Sequence, residues 1–99
     1  MLNIYNYPNP FQSETHFTFN LTGEDLPNEI IIIIFTIAGR LIRDISIPLS
    51  NLNFGMNKFH CDGKDQDGDE IENGVYFYKM IVKYNDKTET QINKIAKVK

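Results

Sequence analysis

Five isoleucines stand in a row from Ile30 to Ile34, and no other stretch restricts the fold as tightly. Each is β-branched, with a stiff χ1 that crowds a helical turn and suits a pleated strand. The run is far too short to cross a bilayer as a helix. Residues 29–37, EIIIIIFTI, therefore read as a strand. Successive side chains of a strand point to opposite faces, so Ile30, Ile32 and Ile34 share one face and Ile31 and Ile33 the other. Only one face of an outer strand can reach the core of a two-layer domain. The other is expected to meet solvent, a second copy or the body of a larger protein.

The rest of the chain repeats the two-residue period and nowhere shows a helical one. Phe17, Phe19 and Leu21 alternate with His16, Thr18 and Asn20 over 15–21, and Leu2 and Ile4 with Asn3 and Tyr5 in a short first strand. TGEDLPN, 22–28, is turn chemistry. Ala38-Gly39 makes a tight turn into a strand over 40–47, so 29–37 and 40–47 are expected to pair as a hairpin. Pro48 to Gly55 reads as loop, 56–61 as strand, 62–74 as a long acidic, glycine-bearing loop, and 75–84 and 88–99 as the last strands. This predicts an all-β fold, an immunoglobulin-like antiparallel β-sandwich of about seven strands. Tyr76, Tyr78, Met80 and Val82 would face its core, with a tyrosine-corner-like bond from a hydroxyl near the strand's start.

Residues 1–99 are enough for one domain with a real core. A formal net charge of −3 argues against nucleic acid or an anionic membrane as the main partner, and no segment suits membrane insertion. The single Cys61 rules out an internal disulfide. The start, Met1-Leu2-Asn3-Ile4-Tyr5, has no signal-peptide pattern and is already strand-like, which favours a piece of a larger precursor over a cytoplasmic protein.

Asp65-Gln66-Asp67-Gly68-Asp69 invites a calcium reading, since hard cations take carboxylates at two-residue spacing around a glycine bend. Aligning Asp67-Gly68 with the fifth and sixth positions of an EF-hand loop leaves Gly63 and Gly74 where the end ligands belong. A solvated turn whose aspartates cap backbone amides fits better. His60 and Cys61 are strand neighbours that point to opposite faces and cannot share a ligand. Cys61 reads as a small buried hydrophobe. With no nucleophile elbow, phosphate-binding glycine loop or paired cysteines, no enzymatic role and no cofactor are expected.

NYPNPF, 6–11, carries two prolines that fix φ, remove donors and extend the residues before them, and reads as a stiff, kinked lead-in to the sheet. NYPNPF, then IFTIAGRLIR (34–43), CDGKDQDGDEIENGVYFYKM (61–80) and KIAKVK (94–99), in that order, resemble the C-terminal sorting domains of proteins exported by the type IX secretion system of Bacteroidetes. The flagellar hook-capping protein has a related immunoglobulin-like domain. Residues 34–43 and 61–80 are most similar to the C-terminal domain of that system's cysteine-peptidase sortase. The resemblance covers nearly the whole chain. It implies a domain ending a multidomain precursor, read by the outer-membrane secretion machinery and its sortase, in the periplasm in transit and then at the cell surface or secreted. It implies roles for Pro8, Asn9 and Pro10 (entry motif), Gly39 (hairpin), Asp62, Gly63, Gly68, Gly74 and Tyr76 (loop and strand), and Lys94 and Lys99 (terminal motif). The proline stretch would then be the joint to a passenger domain, holding the linker extended for a peptidase or receptor.

Two departures stand out. The family's tryptophan before Asp-Gly is Cys61, so the core must be filled from elsewhere. The usually polar outward positions of the isoleucine strand are Ile31 and Ile33, which suggests a weak homodimer or contact with the parent protein. A structural module that is never removed, and a small calcium-binding module, are the rival readings.

Overall fold

The computed structural model describes residues 3–23 and 25–98; Leu2 and Lys99 lie outside the described residues. Seven strands follow one another: β1 (Asn3–Tyr7), β2 (Thr15–Leu21), β3 (Glu29–Thr36), β4 (Leu41–Ser46), β5 (Gly55–Cys61), β6 (Gly74–Lys83) and β7 (Thr88–Lys97). They form two sheets, ordered β1-β2-β5 and β4-β3-β6-β7, and every pairing within them is antiparallel. This is an immunoglobulin-like sandwich, as the period predicts.

Alternation decides what enters the core. Phe17, Phe19 and Leu21 project from one sheet and Ile30, Ile32, Ile34, Tyr78, Met80 and Val82 from the other, all buried. Phe17 and Tyr78 meet edge to face across the sheets at 4.9 Å between ring centroids, the arrangement aromatic quadrupoles favour. Tyr76 Oη donates to the Glu72 carbonyl at 2.6 Å, which is the expected tyrosine corner. Removing that bond with Tyr76→Phe is expected to cost about 1 kcal/mol in urea unfolding. A loss indistinguishable from zero would mean that the corner is ornamental.

β3 lies between β4 and β6, so its outward side chains have flanking neighbours on both sides. Ile31 stands between Ser46 and Ile81, and Ile33 between Asp44 and Lys79. Both are therefore half-buried rather than fully wet.

The proline stretch departs from expectation. β1 continues to Tyr7, whose partner is His16, and ends where Pro8 has no N–H to give. Pro8 to Glu14 is thus an internal connection between two paired strands. It is not a lead-in ahead of the sheet, and it cannot be the joint to a preceding domain because β1 already lies in the sandwich. The stretch from Pro48, expected as plain loop, holds a 3-10 turn at Leu49–Asn51, and Gly55 already belongs to β5.

Candidate functional site

Register fixes which loops share an end. Thr15 faces Cys61, Thr36 faces Tyr76 and Gly74 faces Lys97, while the β1–β2 connection reaches the end of β7 through a parallel bridge between Phe11 and Lys97. The β1–β2, β3–β4 and β5–β6 connections and the end of β7 therefore crowd one pole. Asn3 lies at the other, paired with Asn20.

At this pole Asn9 acts as a splint. Its Nδ2 donates to the Lys94 carbonyl at 3.2 Å, and its Oδ1 accepts from Ala96 N at 3.1 Å. A side-chain amide thus copies a peptide group and pairs with the edge of β7. The main chain takes over two residues later: Phe11 N donates to Ala96 O and Val98 N to Phe11 O, each at 2.9 Å. Pro8 and Pro10 flank Asn9, both after cis peptide bonds, and their missing N–H groups leave nothing unpaired on the solvent side. Asn6 and Thr15 close the turn beneath: Asn6 Nδ2 donates to Thr15 Oγ1, and Thr15 Oγ1 to Pro8 O at 2.9 Å.

Phe11, 1% exposed, plugs the pole. Lys97 runs beside it, buried, with Nζ donating to Gln12 O and standing 5.8 Å from the Phe11 ring centroid. That distance allows a cation–π contact. Gly63 presses on the same ring. A Cβ there would come within 2.7 Å of Ser13 O and 2.9 Å of Phe11 Cε2, and its φ is +71°. Only glycine meets both demands.

The acidic loop is tied to the β3–β4 arm. Arg43 donates to Asp62 Oδ1 at 2.5 Å and to Lys64 O at 3.2 Å, and Gln66 N donates to Ile42 O. Burial works against the Asp62 charge, but the Arg43 hydrogen bond and charge outweigh it and hold the carboxyl below its ordinary range. Asp65 Oδ1 accepts from Asp67 N and Asp69 N at 2.9 and 3.0 Å, so this carboxylate caps amides as a solvated turn requires. Gly68 N donates to Asp65 O. Among the described residues no three His, Cys, Asp or Glu side chains gather as a metal-binding group.

Cys61 is buried, and desolvation pushes its thiol up from the ordinary value; that is inert packing, not a primed nucleophile. His60 points outward and pairs with Glu14 at 3.0 Å. An open groove of about 510 Å³ lies beside the splint, lined by Pro8, Pro10, Gln12, Ser13, Glu14, His16 and Val98.

The structure thus brings Asn9, between Pro8 and Pro10, onto the Lys94 backbone and Gly63 against Phe11 and Ser13 of the same connection, with Asp62, Gly68, Gly74, Tyr76 and Gly39 at the same pole. Ile31 and Ile33 lie apart, on the outer face of the four-stranded sheet. Phe11 and Lys97 escaped the sequence reading. Lys97 had a signal, since it lies in phase with Ile95 on the inward side of β7.

No family model matches the chain, and no curated protein does. Among solved structures, dimeric latent PorU from Porphyromonas gingivalis matches 99% of the chain with a TM-score of 0.83 and 19% identity, over 9% of its own length. PorZ from the same organism, described as an essential bacterial surface component of its type IX secretion system, matches 98% of the chain with a TM-score of 0.57 and 18% identity, over 12% of its length. The chain therefore has the fold of a domain that both proteins carry, and it spans about a tenth of either.

Proposed function

We propose that this chain is a non-enzymatic sorting and interaction domain that directs a passenger through the outer membrane by the type IX secretion system, to the cell surface or the medium. The observation that carries the reading is the convergence of three separate motifs, Pro8-Asn9-Pro10, Asp62-Gly63 and the Lys94–Lys97 end of β7, on the pole opposite Asn3. A passenger joined before β1 would leave that pole open to the secretion machinery and its sortase. The shared fold with two proteins of P. gingivalis, one a secretion-system surface component, supports the assignment.

A reporter bearing a signal peptide and fused ahead of residues 1–99 is expected at the surface of a bacterium with this system, read by protease shaving. Deleting 94–99 should strand it in the periplasm. That deletion also removes the buried Ile95 and Lys97, so Lys94→Glu with Lys99→Glu serves as the milder variant. Equal export of the wild-type, deleted and charge-reversed fusions would discard the sorting assignment.

A second reading has one observation behind it: in both solved structures the matched domain is part of the chain. A retained structural module would look the same. The mass of the surface reporter separates the two, because a sorted and processed fusion loses this domain and a retained one keeps it.

A further inference from the structure

The outer faces of the two sheets differ in kind. On the three-stranded sheet the middle strand presents His16, Thr18 and Asn20. On the four-stranded sheet the outward side chains of both middle strands are mostly apolar: Ile31, Ile33 and Phe35 on β3 beside Ile81 and Phe77 on β6, with Lys79 between those two. Phe35 and Phe77 stack at 5.9 Å between centroids, and the stripe widens to Leu41 and Ile92, each 52% exposed. The three-stranded sheet exposes Tyr5, Tyr7 and Met56 as well, but on its two edge strands, separated by His16, Thr18 and Asn20. On the other sheet the apolar side chains adjoin one another across β3 and β6. A broad, β-branched face left in water is also an aggregation hazard unless something covers it.

We propose that a second copy of this chain covers it, packing sheet to sheet about a two-fold axis parallel to the strands. The charges select both the occupant and the axis. The register sets Asp44, Ile33, Lys79 and Ile92 in one row across β4-β3-β6-β7, and Leu41, Phe35, Phe77 and Lys94 in the next. The acid therefore sits on the β4 edge and the lysines on the β6–β7 side. A two-fold along the strands lays β4 over the partner's β7 and β3 over the partner's β6. Phe35 then meets the partner's Phe77, and Asp44 lies near the partner's Lys79 and Lys94. A two-fold across the strands would lay β4 on β4 and set like charges together, which costs free energy.

Size fits weak pairing. Four strands about 4.8 Å apart and about eight residues long at roughly 3.4 Å each give a face of about 500 Å². Two such faces bury about 1,000 Å², the lower limit for a specific interface. Dissociation constants from roughly micromolar to millimolar follow.

Sedimentation equilibrium of residues 1–99 tests this without reference to export. The wild type is expected to show a concentration-dependent dimer. Ile31→Lys with Ile33→Thr should be monomeric, its dissociation constant raised at least tenfold, with an unchanged circular dichroism spectrum. Lys79→Glu with Lys94→Glu, at positions outside the core, should weaken the dimer likewise, as should Asp44→Lys. Mixing these two charge variants should restore association as a heterodimer. A wild type that stays monomeric at millimolar concentration overturns the proposal. So does an isoleucine variant that is folded and dimerises as before. Should that variant unfold, the charge variants decide: a mixture no tighter than its parts rejects the pairing.

Discussion

Gly63→Ala is expected to lose about 3 kcal/mol of stability, far more than any other single-methyl addition to this loop. Two costs combine. An L side chain in the left-handed region costs about 1 to 2 kcal/mol. Forcing a methyl against a packed neighbour costs about 1 to 3 kcal/mol, and here the nearest atom is the Ser13 carbonyl oxygen at 2.7 Å, backbone that cannot swing aside. At about 4 to 8 °C per kcal/mol for a domain this size, Tm should fall by about 12 to 24 °C. Gly68→Ala is the control. Its φ is +90°, but nothing lies within 4 Å of a Cβ there, so only the conformational cost of about 1 kcal/mol applies. Thermal unfolding of both variants checks this. Equal losses would show that the β1–β2 connection yields and that the contact between Gly63 and Phe11 is not what shapes the pole.

Ile32→Lys should prevent folding altogether. Ile32 has no exposed surface and lies on the central strand β3, opposite Ile45 on β4 and Met80 on β6. Losing its burial costs roughly 1.5 to 3 kcal/mol, and an unpaired ammonium in the same place costs several more. Together these approach the 5 to 15 kcal/mol that typically holds a whole domain. Near-UV circular dichroism of the purified variant should show no fixed aromatic environment for Phe17 and Tyr78. A variant that still unfolds cooperatively in urea near the wild-type midpoint would mean that the lysine reaches solvent past the sheet.

The contrast between Ile32 and its neighbours also shows what a sequence can carry. Which isoleucines face inward follows from a period of two, and the same rule placed Tyr76, Tyr78, Met80 and Val82 correctly. The turn at Ala38-Gly39 and the capping by Asp65 follow from local chemistry and were readable for that reason. The role of the prolines was not. Pro8 and Pro10 announce a stiff segment, and the alternation before them predicts a short strand. Only the pairing of Tyr7 with His16 shows that this strand already belongs to the sandwich, and hydrogen bonds from Asn9 to residues 94 and 96 span the whole chain. Gly63 could be singled out as a glycine, whereas its reason, a ring and a carbonyl from the β1–β2 connection, is tertiary. Lys97 was hidden by its type. A lysine is expected outside, and here the inward phase of β7 prevails because Gln12 and Phe11 receive the charge.

Seven antiparallel strands, an odd number, send the chain in at one pole and out at the other, along a body 41 Å in its longest dimension. Tension between residues 3 and 98 would therefore run along the strands. The hydrogen bonds of β1 to β2 and of β7 to β6 lie across that line, so the load falls on each ladder in shear, with all its rungs strained together. Nothing can be unzipped one bond at a time from either terminus. The Asn9 splint ties the connection after β1 to the end of β7, and so joins the two loaded strands directly. A passenger drawn along by this domain would hang from a coupling that holds as a block until it fails as one.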